Sequence, residues 1–293
     1  MVQNIAWLPS VKDAPQVTRH IKRALVRLGL DPNLTPQEIV EACSIMPTGK
    51  YRVILGTSQK VEKGVKLGVL TSVVYLSPFN ECGILTCSNA SLGCRLSCLG
   101  HSSGRLKGSQ AKRARMMKTL WLHFGRDLFR ERLAIEINRH INKAKKKGLI
   151  PAVRLNGSSD ILWENFIDME AFDCRFYDYT KHPISMRDNL PSNYHITFSL
   201  DERSRSMKRA LDWLAHGYNV AVVVAETDSI KLSDAVAIQE QLCATTWHGY
   251  KCLNGDDSDV RFFDGQSQWV VLHAKGPKAL RDTSGFVHRF ERR

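Results

Sequence analysis

"IPAVRLNGSSDILWENFIDMEAFDCRFYDYT", residues 150–180, decides the fold class. A short apolar run, "PAVRLNG", reads as a strand. "DILWENFIDMEAF" reads as a helix, and "CRFYDYT" reads as the next strand. Strand, helix and strand in about thirty residues is the signature of a parallel β-α-β unit. The pattern continues downstream. "YHITFSL" reads as a strand, "DERSRSMKRALDWLAHG" as a helix ending at Gly217, "NVAVVVAE" as a strand and "SIKLSDAVAIQEQLCA" as a helix. "VRFFDG" and "WVVLHAKG" read as the closing strands. Roughly six to eight such units predict an α/β fold: a (β/α) barrel or partial barrel of mostly parallel strands, with an open doubly wound sheet as the competitor.

Upstream, "KYRVILG" and "KLGVLTSVVYLS" are β-rich. Residues 1–50 read as a small helical N-terminal cap ahead of one α/β domain over 51–293. Val17, Ile21, Leu25 and Leu28 recur at helical spacing. Thr35, Pro36 and Glu38 form a capping-box start, in which the Thr hydroxyl and the Glu carboxylate each satisfy an otherwise orphaned amide. A long helical stretch spans about 110–147. Met117, Leu120, Trp121, Phe124 and Leu128 form one stripe, and Phe129, Leu133, Ile137 and Ile141 form a second. The change of stripe predicts a break near 125–127, with Asp127 capping the second helix and Gly148 and Pro151 ending it.

At 43% hydrophobic and 24% charged, the 293-residue chain is globular in composition. It has no secretory-type start and no apolar run long enough to span a bilayer, so the expected location is the cytoplasm of a bacterial host, where thiols stay reduced. The formal net charge is +13, and the excess is concentrated. Residues 105–147 hold fourteen lysines and arginines against Asp127, Glu131 and Glu136. A solvated helix face would explain such a segment, as would contact with a nucleic acid through its phosphates.

"GILTCSNASLGCRLSCLGHSSGR", residues 83–105, carries Cys87, Cys94 and Cys98 in a C-x6-C-x3-C pattern. A zinc site would need a fourth ligand, from Cys82 or His101. A [4Fe–4S] cluster held by three thiolates leaves one iron open for a small chelating molecule. Radical S-adenosylmethionine (SAM) enzymes use this arrangement, with the cysteines in a loop after the first barrel strand. Their usual spacing is C-x3-C-x2-C with an aromatic residue before the third cysteine, whereas here Ser97 stands there. Three reduced structural thiols are the plain alternative. Cys43, Cys174, Cys243 and Cys252 read as core or surface thiols.

The ends of the expected strands are polar, and parallel α/β folds gather their sites there. In the radical-SAM-like reading, Asn156, Ser158, Ser159 and Asp160 would contact SAM, and Ser199 would join them at the substrate edge. Tyr177, Asp178, Tyr179 and Lys181 are the candidate catalytic residues. Tyr177 and Tyr179 should face one side of their strand and Asp178 the other, with Lys181 or Arg154 as its partner if it is buried. Glu226, Asp256, Asp257, His273 and Lys275 also fall at strand or loop ends. "NGDD" reads most simply as a turn and Lys275 as a surface lysine. A zinc-stabilised nucleic-acid-binding protein without catalysis competes with the enzyme. A replication or mobilisation nuclease ranks lower, because no two-histidine metal motif lies near a tyrosine.

As an ordered set, "GTSQK" (56–60), the cysteine loop, "RLNGSSDILWE" (154–164), "FYDYTK" (176–181), "YHITFS" (194–199), "NVAVVV" (219–224), "NGDDSDVRFFD" (254–264) and "VLHAKG" (271–276) resemble the gene-product-88-type proteins of phages and plasmids. The resemblance covers about residues 55–290. It implies a phage, prophage or plasmid origin and supports the cysteine triplet as a site, without implying a reaction.

Overall fold

The computed structural model describes residues 3–4, 15–98, 100, 106, 108–187 and 190–292. Arg105 and Lys107 of the basic segment, and His101 of the zinc alternative, lie outside the described residues. In chain order the elements are β1 (Gln3–Asn4), α1 (Arg19–Arg27), α2 (Pro36–Ser44), β2 (Leu55–Gly56), α3 (Gln59–Glu62), β3 (Val69–Val74), β4 (Ile84–Leu85), α4 (Leu92–Leu96), α5 (Ser109–Phe124), α6 (Arg126–Lys146) and β5 (Ile150–Arg154). There follow β6 (Arg175–Thr180), β7 (Tyr194–Ser199), α7 (Ser206–Ala215), β8 (Asn219–Glu226), α8 (Leu232–Cys243), β9 (Thr246–Trp247), β10 (Tyr250–Asn254), β11 (Trp269–His273), α9 (Gly276–Leu280) and β12 (Val287–Phe290).

The architecture is α/β with mostly parallel strands. Among the described pairings only β2 with β3 and β9 with β10 are antiparallel. These pairings form open ladders, and none closes them into a barrel. No described helix is long and apolar enough to cross a membrane. The chain forms two compact units. One comprises residues 1–58, 68–88 and 99–176, the other 59–67, 89–98 and 177–293.

In the first unit β3 lies parallel to β5, from Val69 opposite Ile150 to Val73 opposite Arg154, and β5 continues onto the start of β6 at Ala152–Arg175. Phe129, Leu133, Ile137, Ile141 and Ala144 are buried along α6, which confirms the expected second stripe. His140 pins α6 to two strands. Its Nε2–H points at the carbonyls of Leu70 and Ala152, both at 3.0 Å, so Nδ1 accepts from the Ser72 hydroxyl at 2.9 Å. The capping box of α2 forms as expected, with Thr35 and Glu38 exchanging bonds.

The helix break falls at Gly125, which occupies the cap of α6; Asp127 sits in its first turn and pairs with Arg130. Packing favours glycine there: a Cβ at Gly125 would stand 2.8 Å from Val40 Cγ1. The expected helix over 160–172 is absent, and only a 3₁₀ turn at Trp163–Asn165 forms. Ile161, Leu162, Trp163, Phe166, Ile167 and Met169 are all buried, so the apolar residues surround the segment instead of lining one stripe.

In the second unit β8 is central. It runs parallel to β7 along its first half, to β12 along its second half, and to β11 on its other edge. β10 adds to β11 in parallel, and β9 closes a short hairpin onto β10. Trp213 of α7 stacks on Phe198 of β7 at 5.8 Å. Ala225, Ala235, Ala274, Ala279, Leu280 and Val287 form a core of small side chains where β8, α8, α9 and β12 meet. "VRFFDG" is not a strand. A 3₁₀ turn, Arg261–Phe263, stands there around the buried Arg261, which pairs with Asp264 three residues on.

Candidate functional site

The first unit carries Cys87 and the polar loop after β5. Thr86 organises the approach. Its hydroxyl donates to the carbonyls of Ser77 at 2.6 Å and Phe79 at 3.1 Å. The carbonyl of Thr86 accepts the Asp160 amide at 2.9 Å, and Cys87 and Asp160 form an isolated parallel bridge. The cysteine loop and the β5 loop are thus joined backbone to backbone. The Cys87 sulfur lies 3.4 Å from the Phe79 amide and 3.8 Å from the Ser158 carbonyl. Phe79 adopts a left-handed backbone (φ 51°), unusual for a bulky side chain, which turns its amide toward that sulfur.

Asn156 is the keystone of the β5 loop. Its Oδ1 accepts from the Ser159 hydroxyl, the Ile161 amide and the Trp163 indole at 2.9, 2.9 and 3.0 Å, and its Nδ2 donates to the Ile161 carbonyl at 2.9 Å. The Ser158 hydroxyl donates to the Leu76 carbonyl at 2.6 Å. The Asn156, Ser158 and Ser159 side chains, expected to meet a cofactor, therefore bind the loop to itself and to the chain after β3. Gly157 allows this closeness, since a Cβ there would stand 2.4 Å from Val73 Cγ1 and 2.8 Å from the Val74 carbonyl.

The second unit carries Cys94, Cys98 and the residues after β6 and β7. α4 is held by Glu202: one carboxylate oxygen takes the Gly93 amide at 2.8 Å, the other the Ser91 hydroxyl at 2.7 Å. Ser91 also accepts the Cys94 amide at 3.3 Å as the helix cap. A Cβ at Gly93 would stand 2.4 Å from Phe286 Cβ, so the glycine is required by close approach. Cys94 lies within electrostatic range of Arg203, whose guanidinium forks onto Asp201 with contacts of 2.5–3.1 Å. Burial alone would raise the Asp201 pKa; the Arg203 bonds and the Lys181 ammonium outweigh it and hold the carboxyl below its usual range.

Lys181 spends its protons on the Ser199 carbonyl at 3.0 Å, the Ser199 hydroxyl at 2.9 Å and the Leu200 carbonyl at 3.2 Å, and its ammonium lies 5.1 Å from the centre of the Phe286 ring. Asp178 is fully buried and accepts from the Tyr194 hydroxyl at 3.1 Å. Tyr177 is also fully buried, edge-on to Phe262, while Tyr179 is half-buried. The structure therefore joins Lys181 to Ser199 and sends Asp178 to Tyr194.

The sequence reading missed Asp201, Glu202 and Arg203. The signal was present in "SLDER", a charged triplet directly after a strand, which had been assigned to the start of the next helix. It also missed the Asn89–His182 pair, where the amide donates to Nδ1 at 2.7 Å.

Of the four thiols set aside as core or surface groups, Cys43 and Cys174 are buried, and so is Cys82 of the zinc alternative. Burial pushes Cys43, Cys82 and Cys174 up to about 12. Cys87, Cys94 and Cys98 are each half-buried. Among the described residues no three His, Cys, Asp or Glu side chains are gathered closely enough to hold a metal ion. The donor chemistry of the triplet therefore fits a thiophilic metal, but the convergence of ligands is not present.

The basic segment is divided by burial. Arg115 and Lys118 are buried, donating to the carbonyls of Leu106 and Gly100 and of Ile54. Arg139, Lys143, Lys145, Lys146 and Lys147 are exposed toward the C-terminal end of α6.

The family model of gene product 88 matches residues 53–289, and the chain belongs to that family. No curated protein and no solved structure matches it.

Proposed function

We propose that this gene product 88 protein is an iron–sulfur enzyme of radical-SAM-like layout, with Cys87, Cys94 and Cys98 as the cluster ligands. One observation carries the reading: Cys87 follows a parallel strand and its sulfur lies against the loop of the next parallel strand, 3.8 Å from the Ser158 carbonyl. The Phe79 amide is directed at the same sulfur, at 3.4 Å. A cluster with an open iron would supply one-electron reduction of SAM. The chain's own residues would do the rest. Asn156 fixes the loop, Ser158, Ser159 and Asp160 present it, and Glu202 holds the helix that bears Cys94. Lys181 and Ser199 line the ends of β6 and β7. Because no three ligands converge among the described residues, this reading requires the cysteine loop to rearrange when it takes up metal.

The test is anaerobic purification. A brown protein absorbing near ~400 nm with about four irons per chain is expected of a thiolate-held cluster. Dithionite and SAM should then yield 5′-deoxyadenosine, and Cys→Ser changes at the three positions should abolish it. A colourless protein containing one zinc overturns the reading.

That second outcome belongs to a zinc-stabilised nucleic-acid-binding protein. The exposed Arg139, Lys143, Lys146 and Lys147 at the end of α6 favour this reading, with nucleic acid as the polyanion. Affinity for DNA or RNA would then fall steeply with salt, and charge removal at these four positions would flatten the slope.

A further inference from the structure

At the C-terminal ends of β10 and β11 stands a second polar cluster. Asp256 faces the His273 ring, its Oδ2 lying 2.8 Å from Nδ1. The same oxygen accepts the His273 amide at 3.2 Å and the Gln239 Nε2 at 3.0 Å. Gln239 is buried on α8, and its orientation follows from its bonds: Nε2 also donates to the Val271 carbonyl at 2.7 Å. Its Oε1 therefore faces His273 Nδ1, at 3.0 Å. With two acceptors on Nδ1, the proton of the neutral ring belongs on Nδ1, and Nε2 carries the lone pair.

Among the described residues no group bonds Nε2, and the His273 side chain is 16% exposed. Lys275 pairs with the other carboxylate oxygen of Asp256, and its side chain is 39% exposed. The loop is built for this contact. A Cβ at Gly255 would stand 2.6 Å from Val270 Cγ1 and 2.8 Å from Leu272 Cδ2, so only glycine lets the loop press on β11 and bring Asp256 to His273. "NGDD" is thus more than a turn, and Lys275 is more than a surface lysine.

We propose that Gln239, Asp256 and His273 form an acid–base site whose Nε2 accepts a proton from a small alcohol carrying an anionic group, with that group held by Lys275. The step is a proton transfer alone. The O–H bond of the alcohol breaks, an Nε2–H bond forms, and the electron pair stays on oxygen. Asp256 orients the ring and faces the imidazolium charge that develops. Lys275 gives one proton to Asp256 and has others for the anion. The position suits a ligand, because parallel sheets bind theirs beyond the carboxyl ends of their strands.

The experiment is site-resolved acylation of the intact protein by diethyl pyrocarbonate at mildly alkaline pH, read histidine by histidine by mass spectrometry. His216 is the reference: it is exposed, and its Nδ1 bonds only a neutral carbonyl, that of Asp212. His273 should react several-fold faster than His216. Inorganic phosphate should slow His273 and leave His216 unchanged, and Lys275→Met should remove that protection. Asp256→Asn should bring the two rates together. Should this last variant fail to fold, the wild-type and Lys275→Met rates still decide. Equal rates at the two histidines in the wild type, or no protection by phosphate, would overturn the proposal.

Discussion

Glu202 accepts the amide of Gly93 at 2.8 Å, so a carboxylate after β7 secures the helix that bears Cys94. The Ser91 hydroxyl completes the grip at 2.7 Å. Hydrogen bonds to a charged partner contribute about 1.5–3 kcal/mol each, and ~1.4 kcal/mol is tenfold in an equilibrium. Glu202→Ala should therefore raise the opening of α4 at least about tenfold. Alkylation of Cys94 followed by mass spectrometry measures it. An unchanged Cys94 rate would show that the clamp does not govern the helix.

Gly157→Ala places a methyl group 2.4 Å from Val73 Cγ1 and 2.8 Å from the Val74 carbonyl. Overpacking of this kind costs about 1–3 kcal/mol. The melting temperature should fall by several degrees. Gly56→Ala meets only ordinary contacts, 3.8 Å at the nearest, and should leave it nearly unchanged.

Thiol reactivity should fall into classes. Burial pushes Cys43, Cys82 and Cys174 up to about 12 and Cys243 and Cys252 up to about 11. The thiolate is the nucleophile, so these five should react slowly in the folded, metal-free protein. Cys87, Cys94 and Cys98, each half-buried, should be labelled first by iodoacetamide. Peptide mapping over time gives the order, and rapid labelling of Cys82 would contradict the packing described.

Acid should weaken the fold through its buried histidines. Burial lowers His123 and His195 to about 4, with Arg126 and Arg261 adding repulsion, and burial also lowers His140. An unfolded histidine takes a proton near pH ~6.5. Between the two values the unfolded chain binds more protons than the folded one, so stability rises with pH there. It is fully present above about 6.5 and is lost as pH falls from there toward 4. The melting temperature should drop between neutral pH and pH ~5, and His195→Gln should lessen that drop.

The capping box of α2 and the strands Val69–Val74, Tyr194–Ser199, Asn219–Glu226 and Trp269–His273 were legible because their signals are local. Thr35 and Glu38 sit three residues apart, and a buried parallel strand is a continuous apolar run. The segment 160–172 misled because its apolar residues recur often enough to resemble a helix stripe. The capture of Ile161 and Trp163 by Asn156 decided otherwise. The site was legible only in part. Polar residues at strand ends pointed to the right rims, but pairings such as Glu202 with Gly93 join residues more than a hundred positions apart, and no spacing rule reaches that far.

The grip of Glu202 on Ser91 spans 111 positions of chain. At a synthesis rate of about 5–20 residues per second, Glu202 leaves the peptidyl-transferase centre roughly 6–20 s after Ser91. Throughout that interval Cys94 and Cys98 belong to a nascent segment whose anchor has not yet been translated. Newly made thiols thus have a window on the ribosome in which an assembly factor, an oxidant or a chaperone reaches them more easily than in the finished protein.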